Sequence, residues 1–367
     1  MILFLVNTTS QLINAIVLAK TVLKGENCDV YYTPEVNLGI DNLKKTDVFA
    51  HCYQIHLVPD LLKRTTEFNK AVVRIKNALD FPKVRKALPS DPMQYSRMFV
   101  SGLSLRNYEY YYAVKRANPQ VKLSLFEEGA FEYYSLGLPK SRAKRLFSHF
   151  FFGHYYPEEC DSLYVYNPAF VQNIWGNISV RRIPNYSRDK ELVEILNYIY
   201  GYAAPILRPR KEKYLILEQA FGDEHQNAEQ RVLINRIAEK LGKENMVIKL
   251  HPRSTEEKYR GEYECIKTSI PLELIIANEN DTDKAIISVS SSAALNLKLI
   301  FDIEPYIVIL NRLGRSEADL GPADQLYSQI RDSCREKHFW IPWTMEEFDE
   351  ILDTIAQSAA PEGDRKG

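Results

Sequence analysis

The sequence predicts an α/β protein built from two doubly wound domains. Three observations lead there. Short apolar runs alternate with helix-period segments along the chain, the alternation restarts at residue 214, and a linker with two prolines and a charge run separates the halves. At 367 residues the chain is long for one domain and comfortable for two. The linker runs from Gly201 through Pro205 and Pro209 to Lys213, which places the expected domains at 1–204 and 205–367.

In the first half, residues 2–6 form a buried strand, 7–10 a polar turn rich in capping residues, and 11–24 a helix. Leu12, Ile13, Ile16, Val17 and Leu23 give that helix a broad apolar face. The turn lacks Gly-x-Gly-x-x-Gly, so the dinucleotide fingerprint is absent. Further strands are expected over 28–33, 50–58 and 98–101, a charged helix over 66–88, and, after Gly102, an aromatic helix over 108–115. Residues 121–126 form a strand running straight into Glu127, Glu128 and Gly129. Carboxylates at a strand's carboxyl end, before a glycine that permits tight backbone geometry, lie where open α/β sheets bind ligands. Alternation along a strand sends adjacent side chains to opposite faces, so one of the two glutamates faces the crevice. It could act as a base there, or both could be exposed loop acids. Residues 161–166 are expected as a strand and 189–200 as a helix.

In the second half, strands are expected over 214–217, 263–268, 284–289 and 306–310, with helices over 228–241, 295–300 and 345–359. Between the first two of these strands a short apolar run from Met246 ends at Lys249-Leu250-His251-Pro252-Arg253. Pro252 has no N–H for a ladder, so His251 stands at a strand's end, and Lys249 and Arg253 bring cationic donors to the crevice. A capped strand with a hydrogen-bonded histidine is the plainer account. Asp223, in the turn after residue 217, would share that crevice and pair with His251 as acid and base, or simply cap the following helix. Glu273, in a first helical turn after Pro271, could hold a ribose hydroxyl or simply favour the helix dipole. Ser290, Ser291 and Ser292 lead into a helix and offer hydroxyls beside unpaired N–H groups, a phosphate cradle; an N-cap would account for one of them. Asp281-Thr282-Asp283 precedes its strand, at the opposite edge, so no metal is expected there.

Apolar residues make up 45% and charged residues 26%, a globular balance that excludes wholesale disorder. Net charge is −1, which argues against a general nucleic-acid binder. Five cysteines are scattered without Cys-x-x-Cys spacing, so neither a disulfide framework nor a zinc site is indicated, and a reducing cytoplasm is expected. The first residues lack a basic signal-peptide region, and no stretch has the roughly 18 apolar residues of a membrane span. The 23 tyrosines, many of them between 108 and 166, suit carbohydrate faces, interfaces or a core. Over 140–156, four cations (Lys140, Arg142, Lys144, Arg145) precede an aromatic run, a pattern for an anionic membrane surface or for packing between domains.

Taken in order, Glu127-Glu128-Gly129, His251-Pro252 and Ser290-Ser291-Ser292 resemble the acidic-acidic-Gly, His-Pro and Ser motifs of bacterial sialyltransferases. Size and the opening Leu5-Val-Asn-Thr-Thr-Ser-Gln-Leu12 resemble glycosyltransferase family 52, which includes lipooligosaccharide and capsule sialyltransferases. The resemblance implies a GT-B fold, two Rossmann-like domains facing a central cleft. It also implies inverting, metal-independent transfer from CMP-sialic acid to a terminal sugar, galactose by expectation, with no cofactor. By it His251 meets the CMP phosphate as donor or general acid, Ser291 and Ser292 bind the same phosphate, and Glu273 holds the ribose. Asp223 is the preferred base and Glu128 the alternative. Glu127, Gly129, Lys249, Pro252, Arg253 and Ser290 complete the expected substrate contacts. The implied partners are a nucleotide-sugar donor and a glycan acceptor, with a homodimer and a peripheral contact at the inner membrane face as further expectations. Competing readings are a transferase using UDP-hexose or CDP-glycerol, and a non-catalytic glycan-binding subunit.

Overall fold

A computed structural model describes residues 1–34, 36, 39–55, 81–101, 105–135, 142–172, 177–279, 284–289, 291–316 and 320–358. Residues 66–80 of the helix expected over 66–88, residues 56–58 of the strand expected over 50–58, Gly102, Lys140, Asp281 to Asp283, Ser290 and residue 359 lie outside the described residues. The chain divides into two compact units, Met1–Gly201 and Tyr202–Gly367.

The first unit holds a seven-stranded sheet in the order β3-β2-β1-β4-β5-β6-β7. The strands are β1 Ile2–Val6, β2 Cys28–Tyr32, β3 His51–Gln54, β4 Arg97–Val100, β5 Lys122–Phe126, β6 Cys160–Val165 and β7 Ser179–Arg182. Every recorded pairing is parallel. β1 and β2 are buried throughout, as parallel strands covered on both faces must be, whereas β3 and β7 are edge strands of polar and basic residues. β7 has no apolar run, and alternation alone does not reveal it. The helix Thr9–Lys20 follows β1, and the Thr8 side chain accepts from Gln11 N–H at its start.

The tyrosine-rich segment is core. Tyr108, Tyr111, Tyr112 and Tyr133 are wholly buried, so they present no aromatic face to a sugar. Tyr112 stacks on Phe152 at 4.8 Å, fixing the helix Arg142–Phe152 to the helix Leu105–Ala117.

The second unit repeats the design with six parallel strands in the order β10-β9-β8-β11-β12-β13. They are β8 Tyr214–Leu217, β9 Met246–Lys249, β10 Cys265–Ile266, β11 Ala285–Ser288, β12 Ile307–Ile309 and β13 Phe339–Trp340. Tyr214, Ile216, Ile248, Ile287 and Val308 point to one face. There they meet Ile234 and Ile237 of the helix Glu224–Leu241 and Phe348, Leu352 and Ile355 of the helix Met345–Ser358. The helices Leu272–Glu279 and Ser292–Phe301 pack together and serve the other face. Residues following Gly201 belong to this unit because buried Glu279 holds them. Its carboxylate accepts from Tyr202 Oη at 3.0 Å and from the N–H groups of Ile206 at 2.6 Å and Leu207 at 2.8 Å.

In each unit strand order reverses beside the first strand, between β1 and β4 and between β8 and β11. Ligands of doubly wound sheets bind beyond the carboxyl ends at such points. Among the described residues no helix is long and apolar enough to cross a membrane.

Candidate active site

At the carboxyl end of β5 the two glutamates part company. Glu127 is 1% exposed, and its Oε2 accepts from Tyr133 Oη at 2.7 Å and from Tyr166 N–H at 2.8 Å. Its side chain is therefore committed to the interior of the first unit. Glu128 is half-buried and accepts from Gln11 Nε2 at 2.7 Å; Gln11 in turn accepts from Asn7 N–H at 2.7 Å. The first turn of the helix Thr9–Lys20 thus holds Glu128 beside the switch point. Gly129 is buried, and its N–H and that of Glu128 point at Glu132 Oε2, at 3.3 and 3.2 Å. Its φ is not positive, so the turn does not draw on left-handed backbone here.

Burial pushes the Glu127 carboxyl up from its ordinary 4.5 to about 8, against the two donors, and Glu132 up to about 7. A carboxyl that stays protonated when folded but ionises when unfolded makes the folded state bind more protons. Stability is accordingly full below about 4.5 and falls as pH rises through 7 to 8. We expect Glu127→Gln, which keeps an acceptor for Tyr133 and Tyr166, to flatten the decline in unfolding midpoint between pH 5 and 8.5. Parallel declines in the two proteins would refute this.

In the second unit the His-Pro turn is built on a residue the sequence reading passed over. Glu218, directly after β8 and 4% exposed, accepts from His251 N–H at 2.7 Å and from Ser254 Oγ at 2.7 and 2.9 Å, and it pairs with Lys258 Nζ at 2.5 Å. From the outside Lys267 Nζ donates to the carbonyls of His251, Pro252 and Ser254 at 3.3, 2.9 and 2.5 Å. The one available signal was a carboxylate immediately following an apolar strand, the pattern that also marks Glu127.

His251 itself is half-exposed, and its Nδ1 accepts from Arg253 N–H at 3.1 Å. That bond assigns the neutral ring's proton to Nε2, leaving Nε2–H as the donor the ring presents. Desolvation first, then the Arg253, Lys249 and Lys267 charges, hold its pKa below the usual histidine value, and Glu218 opposes them. A neutral imidazole among cations is a hydrogen-bond donor in an anion-attracting field. Lys249, at the end of β9, is 9% exposed; burial lowers its pKa, with the Glu273 carboxylate acting against that. Glu273 accepts from Asn296 Nδ2 at 2.7 Å, tying the helix Leu272–Glu279 to Ser292–Phe301. Asn296 Oδ1 is buried without a hydrogen-bond partner.

Ser291 caps that second helix, its Oγ accepting from Ala293 N–H at 3.3 Å, so this hydroxyl is partly committed; Ser292 begins the helix and is half-exposed. Pro252 and Arg253 are exposed, and Arg253 reaches the Ala220 carbonyl at 3.5 Å. The structure therefore brings together Lys249, His251, Arg253 and Glu273. Asp223 stands apart from them: exposed, it caps the helix Glu224–Leu241 through Gln226 N–H at 3.1 Å, and no hydrogen bond or ion pair joins it to His251. One turn further on, Gln226 and Glu229 line a cavity of about 710 Å3 together with Phe221, Val289, Arg315 and Trp343. Among the described residues no three His, Cys, Asp or Glu side chains gather as a metal site.

The family model described as Alpha-2,8-polysialyltransferase (POLYST) matches residues 97–309, more than half of the chain. The chain belongs to the alpha-2,8-polysialyltransferase family. The matched span runs from the start of β4 to the end of β12 and includes Glu128, Asp223, His251, Glu273 and Ser291. It is accordingly a glycosyltransferase-family protein, which implies a nucleotide-sugar donor and a glycan acceptor. No curated protein matches it. Among solved structures, CalG4, the calicheamicin glycosyltransferase, is similar at 10% identity over 99% of this chain and 90% of its own, with TM-score 0.57. Arabidopsis thaliana UGT89C1 complexed with UDP is similar at 12% identity over 98% and 90%, with TM-score 0.54. The GT-B domain of a Photobacterium damselae sialyltransferase aligns at 14% identity over 92% and 99%, with TM-score 0.47. Two Rossmann-like parallel-sheet units, with the glycosyltransferases CalG4 and UGT89C1 as structural neighbours, make the fold GT-B.

Proposed function

We propose that this polysialyltransferase-family protein is an inverting sialyltransferase that takes sialic acid from CMP-sialic acid without a metal. The supporting observation is the neutral His251, with Nε2–H as donor, set among Lys249, Arg253 and Lys267 at a strand end. In the proposed step the acceptor hydroxyl attacks the anomeric carbon while a base removes its proton. The bond from that carbon to the CMP phosphate oxygen breaks, and the oxygen leaves with negative charge that His251 Nε2–H meets. Ser292 and the N–H groups at its helix start bind the same phosphate, with Ser291 as their cap, and Glu273 takes the ribose. The second unit is then the donor side and the first the acceptor side. A surface glycan, lipooligosaccharide or capsule serves as acceptor, ending in galactose as family 52 implies or in sialic acid as the matched family's description suggests. Lactose and oligosialic acid offered in parallel distinguish the two.

Asp223 remains the proposed base on the resemblance to family 52, although in the structure it caps the helix Glu224–Leu241. Glu128, held by Gln11 at the other switch point, is the alternative. Asparagine keeps an N-cap and glutamine keeps an acceptor for Gln11, so Asp223→Asn and Glu128→Gln remove basicity while sparing structure. The true base should lose turnover by roughly 10²–10⁴-fold at an unchanged unfolding midpoint, and the other variant should stay within a few fold. Both variants retaining full turnover would reject both assignments.

For the donor, CMP should raise the unfolding midpoint and UDP should not, because a ligand confined to the folded state stabilises it. A response to UDP alone would move the donor to another nucleotide.

A further inference from the structure

The helix Arg142–Phe152 has a face that nothing in the proposed chemistry uses. Phe152 and Ser148 are its buried side, with Phe152 packed against Phe81 and Tyr112 at ring separations of 5.1 and 4.8 Å. At 100° per residue the opposite side carries Ala143, Leu146, Phe147 and Phe150, and Leu146 and Phe150 are 71% and 82% exposed. Arg142 and Lys144 lie on opposite flanks of this apolar strip, both exposed. On the inner flank Arg145 and His149 are tied to Glu158 at 2.8 and 3.2 Å, which fixes the helix's rotation so that the apolar strip faces outward. The helix contains three cations and no acid, in a chain whose net charge is −1.

We infer that this helix lies flat on an anionic bilayer surface, with Leu146 and Phe150 entering the headgroup boundary and Arg142 and Lys144 meeting lipid phosphates. An apolar centre with cationic flanks is the arrangement of an interfacial helix, and the local charge fits an anionic surface. The inference is independent of the donor and base assignments.

The full chain is sedimented with vesicles of phosphatidylcholine and with vesicles containing 30 mol% phosphatidylglycerol, in 50 and 500 mM NaCl. Binding is expected to the anionic vesicles at low salt and to fall steeply at high salt. Leu146→Ser with Phe150→Ser should reduce partitioning at least tenfold, and Arg142→Gln with Lys144→Gln roughly twentyfold, at unchanged unfolding midpoints. CMP release in the absence of lipid should be unaffected by either pair, so failure here leaves the catalytic reading standing. Equal binding of both vesicle types, binding that survives the variants, or no binding overturns the inference. Self-association of the free protein that the Leu146 and Phe150 substitutions abolish would instead assign the face to a second copy.

Discussion

Replacing His251 by alanine is expected to lower turnover by roughly 10²–10⁴-fold while the fold survives. The side chain is half-exposed, and the turn's main anchors, Glu218 and Lys267, bond His251 through its backbone N–H and carbonyl. Alanine preserves those bonds and removes only the Nε2–H donor and the Nδ1 acceptor for Arg253 N–H. Donor affinity should change less than turnover, because the developing phosphate charge is what the donor meets. Glutamine, whose amide can still donate, should recover part of the loss if hydrogen bonding is the role and little of it if proton transfer is. Turnover of His251→Ala within a few fold of the parent would remove His251 from the chemistry.

The second large effect belongs to Glu218. Three groups of the following turn converge on this carboxylate: the His251 N–H, the Ser254 hydroxyl and the Lys258 ammonium. The Glu218 side chain is fully buried and that of Lys258 is 21% exposed, so Glu218→Ala leaves a largely buried cation with the neutral Asn227 Oδ1 at 2.9 Å in place of its counter-charge and removes the acceptor of two further donors. We expect a loss of about 3 kcal/mol in denaturant unfolding, with a rise in donor KM of tenfold or more as residues 251–258 lose their anchor. Glu218→Gln should be milder in both, since it keeps an acceptor for His251 N–H. A loss under about 0.5 kcal/mol for Glu218→Ala would mean that the turn is held by Lys267 and local geometry alone.

Both sheets were legible because parallel strands covered on two faces must be apolar runs, and β1, β2, β8 and β9 are buried along their whole length. β7, Ser179–Arg182, and the two-residue β13 escape that logic as polar or short edge strands. Residue type and apolar pattern placed Glu128 and His251 just beyond the carboxyl ends of β5 and β9, while the orientation of their side chains stayed hidden. Only the structure separates Glu127, committed to Tyr133 and Tyr166, from Glu128, held open by Gln11. Glu218 was invisible for a related reason: its three partners lie 33 to 40 residues further along the chain, and no local pattern reports a bond across that span. The tyrosines mislead by composition, since a ring suited to a sugar is equally suited to a core, and burial alone tells them apart.

The central claim is tested most directly by release of CMP from CMP-sialic acid, with and without lactose or oligosialic acid and in the presence of EDTA. The account predicts release that one of the two acceptors stimulates, that EDTA leaves intact, and that His251→Ala lowers by roughly 10²–10⁴-fold. No release with any acceptor, together with no stabilisation by CMP, would contradict it.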